Sequence, residues 1–248
     1  MNFLLLSLRF AWRDWRAGEL GLLLASLVIA VAAIASVGFF VDRMELALSR
    51  QASHLLGADL VLASDRPVDA AAIDPQALAG IATTRTVVFP SMAGGPDGVQ
   101  LASVKAVGEG YPLRGRLRVR DGLDAQEDAE AQGIPASGEA WVDPQLAIAL
   151  GLEVGDEIEL GDRNFRIGRI ISLEPDRGTG FVNFAPRLMI PEADLESTGL
   201  LGPASRASWS LLAAGERARI EALRAWLEGR LERGQRLQTV TDERPDAP

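Results

Sequence analysis

The one lysine of this 248-residue chain, Lys105, follows Ser103 by two positions in the apolar stretch VQLASVKAV (99–107). Residues two apart on a strand share a face, so the hydroxyl and the ammonium are placed for contact, as in a Ser-Lys nucleophile pair. The same spacing is common in ordinary surface strands. A phosphate-binding loop needs Gly-x4-Gly-Lys-Ser/Thr; Lys105 has no preceding glycine, which excludes ATP binding by that route. Neither a Gly-x-Ser-x-Gly elbow nor Ser-x-x-Lys occurs. His54, the single histidine, lies among polar neighbours and reads as a surface imidazole. Asp121, Asp124, Glu127, Asp128 and Glu130 match no EF-hand spacing, so 121–132 reads as a solvated loop. The adjacent Asp156 and Glu157 would need a cleft to act as an acid–base pair. The sequence therefore assigns no catalytic, cofactor-binding or metal-binding residue.

Composition narrows the classes further. With no cysteine and one histidine, disulfides, thiolate zinc sites, cysteine nucleophiles and His-pair metal motifs are excluded. A net charge of −9 argues against nucleic acid as a partner, because phosphates need a basic face. The charge is unevenly spread. Residues 1–41 hold Arg9, Arg13 and Arg16 against Asp14 and Glu19, leaving 22 basic and 32 acidic residues in the remainder. An acidic domain follows a slightly basic, very apolar start.

That start is the strongest signal. From Leu20 to Val41 the chain runs 22 residues without a charge, and a helix of that length covers about 33 Å, the thickness of a bilayer core. Ala33-Ile34-Ala35 resembles a signal-peptide cleavage site, yet 19 residues precede the apolar run and it continues through Phe39 and Phe40. A signal core is shorter and follows a short basic region, so a retained transmembrane helix over 20–41 is expected. Arg9, Arg13 and Arg16 before it place the N-terminus in the cytoplasm and the acidic domain outside. Residues 1–19, with Trp12 and Trp15 among arginines, read as a cytoplasmic interfacial helix. Gly21/Ala25, Ser26/Ala30 and Ala32/Ser36 stand four apart, a spacing that lets helices pack closely.

Beyond the span, 42–57 reads as a helical extension ending at Gly57, and 58–64 as a strand. A short helix is expected at 74–82, then strands at 84–91 and 99–107 joined through AGGPDG (93–98) as a hairpin. From 139 the pattern gives a strand, a short helix from Pro144, and a hairpin turning at Gly161-Asp162-Arg163. RLMI (187–190) is a further strand, and Pro191 opens a helical turn. The last unit is β-α-β: strand 207–213, an amphipathic helix over 215–234 with Ile220, Leu223, Leu227 and Leu231 on one stripe, and strand 236–240. Trp226 beside the stripe reads as core.

These features together resemble the FtsX/MacB-like permeases of ABC transporters. The resemblance rests on GADLVLAS (57–64), VKAVGEGYPLRG (104–115), GLEVGDEIELGDRNFRIGRII (151–171) and EPDRGTGFVNFAPRLMI (174–190), and it is closest to YbbP-like permeases encoded beside a small ATPase. It implies an α+β fold: an amphipathic helix and one transmembrane helix, then a mixed α/β extracytoplasmic domain like the MacB periplasmic core. A porter-like subdomain would take 58–118 with 204–242, an inserted β-rich subdomain 119–203, and 243–248 would be a junction toward a second span. The family's coupling helix would lie beyond residue 248, so no ATPase-coupling residue carries onto this chain.

The resemblance further implies a non-catalytic subunit in a bacterial inner membrane, in contact with lipid and forming a permease homodimer. A separate ATPase subunit would move the outer domain to act on envelope, lipid or peptide cargo by mechanotransmission. From the residues alone, a self-sufficient single-span sensor or adaptor stays open, as does a secreted binding protein released after Ala35.

Overall fold

A run of leucine, alanine, valine and isoleucine broken only by glycine, serine and phenylalanine leaves a helix with no charged face, which suits lipid rather than a stripe against a core. Helix α1 runs unbroken from Glu19 to Leu56 over 38 residues. The computed structural model describes residues 19–69, 72–177, 185–202 and 205–239. The expected interfacial helix before Glu19 and the junction at 243–248 lie outside the described residues, as do the surroundings of the His54 side chain. The chain divides into two units, Met1–Arg50 and Gln51–Pro248. In the first, Leu24–Val41 has a mean hydropathy of 2.6, is long and apolar enough to cross a membrane, and has none of its residues buried.

The second unit is built on a strand ladder. Strand β1 (Leu60–Ser64) is followed by turns at 75–80, where a short helix was expected. Pro75 and Gly80 leave too few residues between them to propagate a helix past its costly first turn, and Ala77 N donates to Asp74 O at 2.9 Å to close a single turn. Strands β2 (Ala82–Gly95) and β3 (Gly98–Val107) form the expected hairpin. Their ladder runs on until Gly95 faces Gly98, leaving Pro96-Asp97 as the whole turn.

Next come β4 (Arg118–Arg120), β5 (Ala129–Glu130), β6 (Glu139–Val142) and helix α2 (Pro144–Leu150). Asp143 caps that helix by accepting from Gln145 N, Pro144 opens it, and Gly151 closes it in the left-handed region. Strands β7 (Glu157–Leu160), β8 (Arg163–Leu173) and β9 (Arg187–Pro191) follow, then two 3-10 turns, Glu192–Asp194 and Glu196–Thr198. The chain continues with β10 (Ser208–Ala214), α3 (Arg217–Glu228) and β11 (Gln235–Thr239).

Six strands close a ring. The ladder runs β2-β3-β9-β6-β8, and β7 pairs both β8 and β2, with Ala93 opposite Leu160. Alternate side chains point inward in such a barrel, and Phe89, Val104, Val142, Ile158, Phe165 and Ile190 form its core with Leu146 and Leu150 of α2. A three-stranded wing extends from β2 in the order β10-β1-β11, with β1 antiparallel to both neighbours. β10 and β11 are therefore parallel, and the expected β-α-β unit holds β1 between its strands. Ile220, Leu223 and Leu227 of α3 cover Leu60, Leu62 and Leu211 of this wing, each burial worth about 1.5–3 kcal/mol. The helix stops at Glu228, short of the expected 234, and Leu231 falls outside the stripe at 40% exposure. Trp226 packs half-buried against the wing, with the Arg230 guanidinium 4.3 Å from its ring centroid.

Candidate functional site

Alternation along β3 sends Ala102, Val104 and Ala106 into the barrel and Ser103, Lys105 and Val107 to its outer face. The same rule on β9 turns Arg187 and Met189 outward, and the parallel register sets Ser103 opposite Arg187 and Lys105 opposite Met189. An outer layer covers this face: Ala58, Val61, Tyr111, Leu117, Trp141 and Leu212 pack with Val107 and Met189. Lys105 and Arg187 are consequently buried, at 2% and 1% exposure.

Two buried cations demand partners, and the segment after β8 brings them. Lys105 Nζ donates to Glu174 Oε1 at 2.8 Å, Asp176 Oδ1 at 2.7 Å and the Tyr111 hydroxyl at 2.7 Å, using its three N–H bonds. Glu174 Oε2 accepts from Arg187 Nε at 2.8 Å, and Arg187 Nη1 donates to Ser103 Oγ. The Tyr111 hydroxyl in turn donates a hydrogen bond to Asp176 Oδ1. Two cations thus face two carboxylates. Burial pushes the Glu174 carboxyl up, but the charges of Lys105 and Arg187 outweigh it and hold the group at about 2. Burial, reinforced by the Asp176 and Glu174 charges, raises the Tyr111 phenol well above its ordinary value.

This knot sits beside the end of α1. Gly57 adopts φ +67, and a Cβ there would lie 3.3 Å from the Asp176 side chain. Gly57 O accepts from Arg114 N at 2.9 Å. The Arg114 guanidinium clamps both oxygens of Asp59, and Asp59 Oδ2 also accepts from Gly215 N at 3.0 Å. The start of β1 is therefore tied to the 108–117 loop and to the end of β10. One residue beyond Asp176, Arg177 pairs with Asp143, the cap of α2.

Ser103 and Lys105 do share a face, as expected, but they meet through Arg187 and Glu174 rather than directly. Lys105 spends its three N–H bonds on Glu174, Asp176 and Tyr111, and Ser103 Oγ accepts from Arg187 instead. The knot is a structural centre. Sequence reasoning missed Glu174, Asp176, Arg187 and Tyr111; the available signal was a lone lysine at an alternating position of an otherwise apolar strand. Of the loop carboxylates, Asp128 pairs with Arg118 and accepts from Ser172, while Asp121 pairs with Arg169. Among the described residues, no group of three acidic or imidazole side chains is placed to hold a metal. Asp156 Oδ2 accepts from Glu153 N, and Glu157 accepts from Asn164 across the hairpin.

Two clefts open around the 3-10 turns after β9. One of 460 Å³ lies between the Asp65–Pro67 loop and the 3-10 turns after β9, with Trp209 of β10 at its floor. The second, of 640 Å³, is lined by Arg85, Gly108, Ser137 and Pro191, and shares Glu192 and Glu196 with the first. Their common wall is fixed by Asp194, which is 4% exposed and accepts from Ser137 Oγ, Gly138 N and Arg163 Nη1 at 2.7–2.8 Å. Burial raises the Asp194 carboxyl, and these donors overcome it to lower the group below its ordinary value. The β7–β8 turn buttresses the wall, with Asp162 N donating to Thr198 O at 2.9 Å.

Comparison with known proteins gives this arrangement a family. The MacB-like periplasmic core domain model matches residues 20–230. The chain is 34% identical over 229 residues to the uncharacterized ABC transporter permease YbbP of Escherichia coli (strain K12), a match covering 92% of this chain and 27% of that protein. It therefore spans about a quarter of that relative's length. Among solved structures, the extracellular domain of the noncanonic ABC-type transporter YknZ from Gram-positive bacteria aligns with a TM-score of 0.45 at 9% identity, covering 73% of this chain and 100% of that one. The periplasmic region of MacB from Actinobacillus actinomycetemcomitans aligns with a TM-score of 0.45 at 11% identity, covering 79% and 97%. With the family match running from the apolar span to the end of the β10–α3 unit, the chain belongs to the MacB-like periplasmic core domain family.

Proposed function

We propose that this chain is the N-terminal part of an ABC transporter permease subunit whose extracytoplasmic domain is moved by a separate ATPase. The movement would act on envelope, lipid or peptide cargo by mechanotransmission. Family membership supports the permease reading. The observation that supports the mechanical part is the bonding just after α1: Arg114 N donates to Gly57 O, and the Arg114 guanidinium clamps Asp59 at the start of β1. Within the second unit, a displacement at Gly57 would be passed to the start of β1 and to the 108–117 loop together.

In this reading the N-terminus is cytoplasmic, the apolar helix stays in the inner membrane in contact with lipid, and two permease copies assemble. The chain itself is non-catalytic and binds no nucleic acid. The porter-like part is 58–118 with 204–242, and the β-rich part is 119–203; β2 and β3 lend two strands to the barrel completed by the latter.

Paired topology reporters fused after Pro248, one active only outside the cytoplasm and one only inside, test this reading, with the product sized in washed membranes. Full-length, membrane-retained protein with an external C-terminus is expected. A shortened soluble product, or a cytoplasmic C-terminus, would overturn it.

A further inference from the structure

Trp209 lies at the floor of the 460 Å³ cleft, opposite Val87 in the β10–β2 register. The cleft volume falls in the range of small-molecule sites, which combine apolar walls with a few placed polar groups. Here Pro67, Leu195, Leu201 and Ala207 supply the apolar walls around the half-buried indole. Three carboxylates and one guanidinium line the same space. Asp65 and Arg66 are 3.5 Å apart, and Glu192 pairs with Arg85 at 2.9 Å. Glu196 is left: its exposed carboxylate has no cation partner among the described residues, while its backbone is fixed in the wall held by Asp194. The Trp209 indole N–H likewise has no acceptor among the described residues.

We propose that this cleft binds an ammonium group carried on an alkyl chain, with the cation against Glu196 and the chain on Leu195, Leu201 and the Trp209 ring. Charge selects the ligand. A carboxylate or sulfate head would meet Glu196, whose charge no cation offsets among the described residues, and be repelled, whereas a neutral chain would leave Glu196 unmatched. The indole face adds attraction for a cation next to it. The same cation is offered by a free alkylamine and, two carbons from an anionic phosphate, by the headgroup of an aminophospholipid. The site stands on the cleft alone and is independent of any coupling to an ATPase.

Titration calorimetry on the full chain in phosphatidylcholine nanodiscs, with empty discs subtracted, tests the site. Hexylammonium is expected to bind saturably, and hexanoate and hexanol are not. Glu196→Gln should weaken hexylammonium about fivefold, the scale of a partly exposed ion pair, and high salt should weaken the wild type similarly. Because Glu196 is exposed, its variant leaves the core intact; Trp209→Phe keeps the apolar floor and should cost less than Trp209→Ala. Binding of soluble dihexanoyl phosphatidylethanolamine with the same Glu196 dependence would identify a lipid headgroup as the source; binding of hexylammonium alone would identify a free amine. Equal binding of hexanoate, absence of saturation, or unchanged affinity in Glu196→Gln would each overturn the proposal.

Discussion

Glu174 divides its carboxylate between two cations, giving Oε1 to Lys105 and Oε2 to Arg187 at 2.8 Å each, with all three side chains no more than 2% exposed. Glu174 comes from the segment after β8, and the cations come from the adjacent strands β3 and β9. The ion cluster therefore fastens a loop to the barrel where hydrogen-bonded strands alone would not. Desolvation of such charges is offset only while every partner is present.

Removing one partner should accordingly cost more than any surface ion pair. Lys105→Met leaves Asp176 and Tyr111 without their ammonium and should destabilise the second unit by about 3–5 kcal/mol. Near-ultraviolet circular dichroism during thermal unfolding would report it. Arg217→Ala, which breaks an exposed i,i+4 pair with Glu221, should change stability by less than about 0.5 kcal/mol. Similar losses in both variants would mean that the buried cluster is not mechanically important.

Acid should loosen the same place. The folded-state carboxyl of Glu174 is lowered to about 2 from an ordinary value near 4.5. A lowered carboxyl contributes stability that is present above the unfolded value and lost as pH falls through the folded one. Wild-type melting temperature should therefore decline between about pH 4.5 and pH 2. Glu174→Gln should start lower and show a shallower decline in that window. A parallel pH profile for the two proteins would remove Glu174 from the cause.

The apolar span, the two hairpins, helix α2 and the β10–α3–β11 unit were legible because each follows from local periodicity and turn residues. Helix α1 continues past the apolar run because Met44, Leu48 and Leu55 or Leu56 keep helical spacing. What was not legible is the closure of the barrel: pairing Ala93 with Leu160 is a contact between strands whose sequences carry no signal for one another. The ionic knot escaped for the same reason. Lys105 and Glu174 are 69 residues apart, and only the parallel β3–β9 register brings their neighbourhoods together. Leu231 was misplaced because hydrophobic spacing continues past the point where Gly229 ends the helix.

The cleft wall depends on a glycine. Gly161 has φ +61, and a Cβ there would come within 2.1 Å of the Thr198 backbone oxygen. Gly161→Ala combines left-handed strain of about 1–2 kcal/mol with a clash that backbone must relieve. It should displace the 196–199 turn and weaken whatever binds at Glu196 while leaving the β10–α3 wing folded. Hydrogen exchange would show faster exchange at Thr198 and Gly199 with unchanged protection at Leu211 and Leu212. Uniform loss across both regions would show that the turn and the wing unfold as one.

The bonding around Gly57 and Asp59 is open to a direct check. Asp59 accepts from Arg114 through both oxygens and from Gly215 N through Oδ2, so a single carboxylate binds the start of β1 to two neighbours. Both side chains are partly exposed, at 38% and 23% for Arg114 and Asp59, which limits their pairwise coupling to about 1 kcal/mol in a double-mutant cycle. The larger effect should be local. Asp59→Ala leaves Gly215 N without its acceptor, and its amide should exchange faster, as should Arg114 N, whose partner Gly57 O loses its lateral support. Amides of β8 inside the barrel should be unaffected. Unchanged exchange at Gly215 would show that Asp59 does not hold the start of β1 to the end of β10.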